Sequence, residues 1–281
     1  MSEEHKTKQN TEQKDAPKTR ARKGFIDEMR QKLEKKTKQS KKWALALKIV
    51  WVFLMLVWVA VVLYACQYLV AIIMVHVLKL DQGILESATT QTIYSAVIYV
   101  LCLIITIFVP WKIAHDKTTR DELGLRGAPT WTDILLAPIG FIVFMFAAVA
   151  LVAVMQALLP GIDWSQEQNV GFNSILSNSD FVLAFISLVV VAPIAEEIIF
   201  RGWLYGKLRA KIPAIPAMIL VSILFGIVHG QWNVGVTVFV MSLAMCTIRE
   251  ITGTIWGGIL IHMIKNGLAF YLLYVNPAMI Q

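Results

Sequence analysis

Seven apolar stretches, at about 46–78, 93–111, 134–159, 181–204, 214–230, 233–248 and 254–275, constrain this chain more than any other feature. Most approach the ~20 residues that a helix needs to cross ~30 Å of hydrocarbon. With 57% hydrophobic and only 16% charged side chains in 281 residues, a water-soluble enzyme is excluded. The expected fold is all-α, a polytopic transmembrane helical bundle of about seven spans. The range is six to eight, because the first run is long and the fifth and sixth are short.

Charge is distributed as unevenly as hydropathy. Residues 1–48 hold 15 Lys/Arg against 7 Asp/Glu, whereas residues 49–281 hold 11 against 12. The formal net charge of +7 therefore sits on an N-terminal tail and gives no support for nucleic-acid binding. Residues 1 to about 23 have almost no apolar side chains and are expected to be disordered. From Phe25 the pattern changes: Phe25, Met29 and Leu33 recur among Lys32, Lys35, Lys36, Lys38, Lys41 and Lys42, as in a helix lying on anionic lipid headgroups or a solvated charged helix. About 40 polar residues precede the first apolar run, so a retained anchor is expected rather than a cleaved signal peptide.

Loops carrying Lys112, Lys117, Arg120 and Arg126, or Lys207, Arg209 and Lys211, alternate with loops carrying Lys79, Asp81 and Glu86, or Asp163, Glu167 and Asp180. By the positive-inside rule the N-terminus is expected to be cytoplasmic. Cys66, Cys102 and Cys246 all lie in apolar runs and offer no disulfide framework.

Three polar clusters interrupt the C-terminal spans. The fourth span contains Glu196, Glu197 and Arg201. Left unpaired at mid-membrane, three such charges would cost about 8 to 10 kcal/mol, so they must be paired, hydrated or protonated. Glu197 and Arg201 are spaced i,i+4 and share a helical face, whereas Glu196 points about 100° away. Glu197 thus reads as the paired carboxylate and Glu196 as the free one, suited to general-base work. Pro193 is expected to bend the helix beside them. In the fifth span His229 lies between Gly226 and Gly230, a spacing that lets a neighbouring helix approach closely. The seventh span carries His262 and Asn266 on one face, with Lys265 beside them. Counting along the spans puts His229 near the outer leaflet but Glu196 and His262 near the middle or the cytoplasmic half, a tension that a tilted or deeply starting fifth helix would relieve.

In this order and spacing, Glu196-Glu197-x-x-x-Arg201, Phe225-x-x-x-His229 and His262-x-x-x-Asn266 resemble the signature motifs of the CAAX protease and bacteriocin-processing family, intramembrane endopeptidases that include type II CAAX prenyl endopeptidases and bacterial immunity proteins. The resemblance spans about residues 110–275. It implies a catalytic transmembrane core there, preceded by a basic tail (1–45, with an amphipathic juxtamembrane helix) and N-terminal transmembrane helices (46–109), and followed by a short end (276–281). The implied site is Glu196, His229, His262 and Asn266, supported by Glu197 and Arg201. The implied location is a bacterial plasma membrane. Lys265 is an unusual charge within the third motif.

Peptide hydrolysis needs an activated water, stabilisation of an oxyanion and a proton for the leaving amine. Glu196 would be the base, the two histidines would orient water or move protons, and Asn266 would donate to the oxyanion. Alternatively Glu196, His229 and His262 would bind Zn²⁺, leaving one position open for water. The lack of an H-E-x-x-H pair on one helix favours the metal-free version. The expected substrate is a membrane-associated peptide or protein, cut near the cytoplasmic face. A catalytically idle scaffold or immunity-type protein, and a proton-coupled transporter, are the rival readings.

Overall fold

The computed structural model describes residues 4–166, 170, 172 and 177–277, with backbone only for residues 4–28 and 30. The chain divides into two compact units, Met1–Phe53 and Leu54–Gln281, and each is described separately. Residues 4–53 of helix α1 (Glu4–Ile72) make up the first unit, whereas its later residues and the π-helical turn that follows, Ile73–Val77, belong to the second. Residues 4–23, expected to be disordered, are helical. Their Lys, Glu, Gln and Ala are strong helix formers, so backbone propensity operates even where no apolar face is available to bury. In the first unit Met29 and Leu33 are exposed. The C-terminal residues 278–281, part of the expected short end, lie outside the described residues.

The second unit contains the remaining helices: α2 (Gln82–Glu86), α3 (Ala88–Ala114), α4 (Trp131–Leu158), α5 (Asn178–Arg209), α6 (Ala214–Ile227), α7 (Trp232–Thr252) and α8 (Trp256–Val275). Among the described residues there is no strand. Six helices are long and apolar enough to cross a bilayer: Gln31–Val77, α3, α4, α5, α7 and α8; α6, with 14 residues, is apolar but shorter. The expected helical bundle of about seven spans is borne out, and the protein is an integral membrane protein.

Caps fix where the helices begin. Asp81, Ser87 and Ser177 each accept a bond from a backbone N–H one turn into α2, α3 and α5. Thr130 and Asp133 form a reciprocal capping box at α4. Asp133 is fully buried and also accepts from Thr254 Oγ1 at 2.6 Å, tying the start of α4 to the turn before α8.

One end of the unit is held by charge. Lys207 lies 2.6 Å from Asp116, Arg209 lies 3.0 Å from Glu250, and Arg249 donates to the carbonyls of Gly202 (3.1 Å) and Glu122 (2.7 Å). Gly124 is part of this end. It has φ +72°, and a Cβ there would stand 3.1 Å from the Ile255 nitrogen, which itself donates to the Gly124 carbonyl.

Candidate active site

The fourth span is not a regular helix. Within α5, residues Ala192–Glu197 are α-helical and are flanked by π-helical turns, Ile186–Val191 and Ile198–Leu204. Pro193 opens the α-helical segment, where its missing N–H is compatible with the register change. Two widened turns, a feature frequent at functional sites, thus flank the segment where Pro193 was expected to bend the helix.

The α-helical segment between these turns carries the acidic pair, and the second turn carries Arg201. Arg201 Nη1 donates to Glu197 Oε1 at 2.9 Å, and both residues are fully buried. His262 Nδ1, on α8, lies 3.0 Å from the same oxygen. A carboxylate only accepts, so Nδ1 carries the proton and Nε2 is the remaining ring position. That Nε2 stands 3.9 Å from Glu196 Oε2. The expected assignment of Glu197 to a buried pair is matched, with His262 as an additional partner.

Phe225 joins the motifs through its ring. The Arg201 guanidinium lies 4.1 Å from the ring centroid, and Phe200, His229 and His262 surround it with centroids at 4.9, 4.9 and 5.9 Å. A cation over a desolvated ring is favourable. This contact takes up a face of the guanidinium whose Nε and Nη2 find no hydrogen-bond partner among the described residues.

His229 follows the end of α6, and its Nδ1 lies 2.7 Å from the Phe225 carbonyl oxygen. The carbonyl accepts, so Nδ1 is the protonated nitrogen and Nε2 carries the lone pair in the neutral ring. Gly226 explains how α6 comes so close to α7: a Cβ there would sit 2.8 Å from the Gly235 carbonyl oxygen, and one on Gly235 would sit 2.9 Å from that of Gly226. The close approach predicted for Gly226 and Gly230 thus involves Gly226 and Gly235. Gly230 instead turns the chain with φ +71°, and nothing lies within 4 Å of a Cβ built there.

Glu196, His229, His262, Lys265 and Asn266 line one cavity of about 820 Å³. Whatever depth counting along the spans assigns them, His229, two residues beyond the end of α6, lines the same cavity as Glu196 and His262. From Glu196 the cavity runs along α3 to Gln91 and along α8 to Tyr274, away from the charged end that contains Lys207 and Arg249. Asn266 also braces the fold: its Nδ2 donates to the Leu188 carbonyl at 2.8 Å, leaving the second amide hydrogen for the cavity.

One contact had no signal in the sequence. Tyr99, on α3, donates its hydroxyl to Glu196 Oε1 at 2.6 Å. Glu196 is therefore not the wholly free carboxylate expected. Oε1 is engaged, whereas Oε2 is buried without a hydrogen-bond partner among the described residues. A tyrosine in an apolar span is too ordinary to single out without knowing which helix packs against it.

The Zn²⁺ alternative depends on the donors present. Among the described residues, no group of three or more His, Cys, Asp or Glu stands in an arrangement that would hold a metal ion. His262 directs one nitrogen at Glu197, and Glu196 gives one oxygen to Tyr99. Each of these bonds, like that of His229 Nδ1 to the Phe225 carbonyl, engages one atom and leaves the other, so His262 Nε2, His229 Nε2 and Glu196 Oε2 are the atoms that would have to draw together to hold Zn²⁺.

Comparison with known proteins follows the same residues. Residues 178–268 match the family model described as type II CAAX prenyl endopeptidase Rce1-like. The resemblance read from the three motifs is borne out. All six motif residues, Glu196, Glu197, Arg201, His229, His262 and Asn266, fall inside the Rce1-like segment, and Tyr99 lies outside it. The chain is 24% identical over 189 residues to "Putative membrane peptidase YdiL" of Bacillus subtilis, covering 66% of this chain and 72% of that protein. It is 27% identical over 129 residues to "UPF0177 protein YxdF" of Lactococcus lactis subsp. lactis, covering 46% of this chain and 67% of that protein. No solved structure matches. Together these likenesses support a membrane protease.

Proposed function

We propose that the protein is an intramembrane endopeptidase that hydrolyses a peptide bond of a membrane-associated peptide or protein, with Glu196 as the general base. The observation that carries this reading is the convergence of Glu196, His229, His262 and Asn266 on one cavity. Glu196 Oε2 and His262 Nε2, 3.9 Å apart, are too far for a direct bond but are spaced to accept the two hydrogens of one water. A water held by two acceptors presents an oxygen lone pair to a carbonyl carbon.

In the proposed step, Glu196 Oε2 takes a proton from the water as its oxygen adds to the scissile carbonyl carbon. The negative charge that forms on the carbonyl oxygen is stabilised by the second amide hydrogen of Asn266 and by the Lys265 ammonium. Glu196 then returns its proton to the leaving amine as the C–N bond breaks. Glu197, held between Arg201 and His262, keeps the His262 ring in the orientation that aims Nε2 at the water. His229, with Nδ1 committed to the Phe225 carbonyl, offers Nε2 as a second acceptor at the cavity wall. The cavity runs away from the Lys207 end, so if that end is cytoplasmic the substrate would be met in the opposite half of the membrane, and if it is not, near the cytoplasmic face as the sequence suggested.

The test is cleavage of a quenched fluorescent peptide library by the full chain in liposomes, with and without added Zn²⁺ and with a chelator. Cleavage that is lost in Glu196→Gln at unchanged folding supports the reading. Cleavage that survives Glu196→Gln refutes it, and cleavage that appears only with Zn²⁺ replaces the metal-free version by a metal-assisted one.

A further inference from the structure

We infer that Tyr99 is a positioning residue for Glu196, supplied to the site by a helix outside the segment that carries the motifs. The inference rests on the proposed hydrolysis. Its structural basis is one short bond: Tyr99 Oη donates to Glu196 Oε1 at 2.6 Å. A hydrogen bond to a charged acceptor at this distance is of the stronger kind.

A carboxylate has two chemically equivalent oxygens and rotates about its side-chain torsions, so a base that works on a water held elsewhere gains from having one oxygen fixed. Here the oxygens are made different. Oε1 is occupied by Tyr99, whereas Oε2 is buried, lacks a hydrogen-bond partner among the described residues and faces His262 Nε2 at 3.9 Å. Glu197 cannot perform the fixing, because as the acceptor for Arg201 and His262 it is a carboxylate with no hydrogen to donate. Lys265 and His229 line the same cavity, but among the described residues the Tyr99 hydroxyl makes the direct bond that distinguishes the two Glu196 oxygens.

The surroundings of Tyr99 hold it in place. Its neighbour Ile98 is buried, and Cys102, one turn on, is fully buried. α3 packs against the π-helical and α-helical parts of α5 that carry Glu196. The consequence is that the reaction centre extends beyond the Rce1-like segment, residues 178–268, and needs α3 to be complete.

The experiment compares wild type with Tyr99→Phe, which keeps the ring and removes the donor, using the full chain in liposomes and the quenched peptide library. Two readouts are taken at one fixed pH: the split between kcat and KM, and the infrared carboxylate band of Glu196, identified by difference from Glu196→Gln. We expect kcat to fall on the order of tenfold to a hundredfold with KM changed less than about twofold, as for a misplaced catalytic group, and the Glu196 band to shift. Incorporation of 3-fluorotyrosine at position 99, a stronger donor of nearly the same shape, should move the band in the opposite direction and serves if Tyr99→Phe accumulates poorly. A Glu196 band that is the same in all three proteins, or an unchanged kcat, overturns the inference. If the wild type cuts no member of the library, the peptidase reading fails, and the band alone then decides whether Tyr99 holds Glu196.

Discussion

His262 Nδ1 lies 3.0 Å from Glu197 Oε1, and that one oxygen also receives Arg201 Nη1 at 2.9 Å. A histidine on α8 and an arginine on α5 thus depend on a single carboxylate that is itself fully buried. The arrangement orients the imidazole, and it also compensates a cation that has no water around it. Gly258 adds a constraint on the other side, because a Cβ there would come within 3.0 Å of Glu197 Oε2.

Glu197→Gln should therefore be strongly destabilising. It leaves Arg201 as a buried charge without its counter-charge, and breaking such a pair costs about 3–5 kcal/mol. The double variant Glu197→Gln with Arg201→Met should recover part of that loss, because it removes the orphaned cation as well. Thermal unfolding of the purified variants in detergent measures both. Equal losses for the single and double variants would show that the pair does not carry the stability assigned to it.

Asn266 gives a second test, because its amide bonds to the Leu188 carbonyl at 2.8 Å. Asn266→Ala removes one half-buried hydrogen bond and should cost about 1 kcal/mol. Asn266→Asp has nearly the same shape but only accepts when ionised, so it would set a carboxylate oxygen against a carbonyl oxygen. The near-isosteric change should be the more damaging one, in both melting temperature and cleavage rate. A ranking with alanine worse than aspartate would mean that Asn266 acts through its bulk instead of its donor.

These relationships differ in how far they could be read from the sequence. The spans were legible because lipid imposes length and apolarity on each helix independently of its neighbours. The Glu197–Arg201 pair was legible for the same local reason, since i,i+4 spacing fixes which side chains share a face. The hidden features all depend on which helix lies beside which. Tyr99 meets Glu196 across 97 positions of sequence, and Gly226 meets Gly235 only because α6 folds back on α7. The π-helical turns of α5 had no local signature either. Counting along the spans put His229 and Glu196 at different depths, although both line one cavity.

The two glycines flanking His229 should respond differently to substitution. Gly226→Ala would place a methyl 2.8 Å from the Gly235 carbonyl oxygen, backbone against backbone, so α6 must move away from α7. Overpacking of this kind costs about 1–3 kcal/mol. Because α6 leads directly to His229, cleavage should fall as well. Gly230→Ala meets no neighbour but must hold φ at +71°, which costs a side-chain-bearing residue about 1–2 kcal/mol. The expected contrast lies in activity: per unit of stability lost, Gly226→Ala should lose more cleavage. Proportional losses in the two variants would remove the α6–α7 contact from the account of how His229 is placed.

Orientation in the membrane can be measured without any assay of function. If the loops with excess Lys and Arg are cytoplasmic, exposed Lys117 faces the cytoplasm and exposed Ser165 faces the opposite side. The native thiols Cys66, Cys102 and Cys246 are all free and buried, so a hydrophilic maleimide that does not cross membranes should react with them slowly. In sealed right-side-out vesicles, Ser165→Cys should be labelled and Lys117→Cys should be protected until the membrane is permeabilised. Inverted vesicles should give the reverse pattern. Labelling of both positions from one side would mean that an odd number of crossings does not separate them, and it would break the link between the charged Lys207 end and the cytoplasm. The swapped pattern, Lys117→Cys labelled and Ser165→Cys protected in right-side-out vesicles, would reverse the membrane half to which the cavity is assigned, because the cavity runs from Glu196 toward Tyr274 and away from that end.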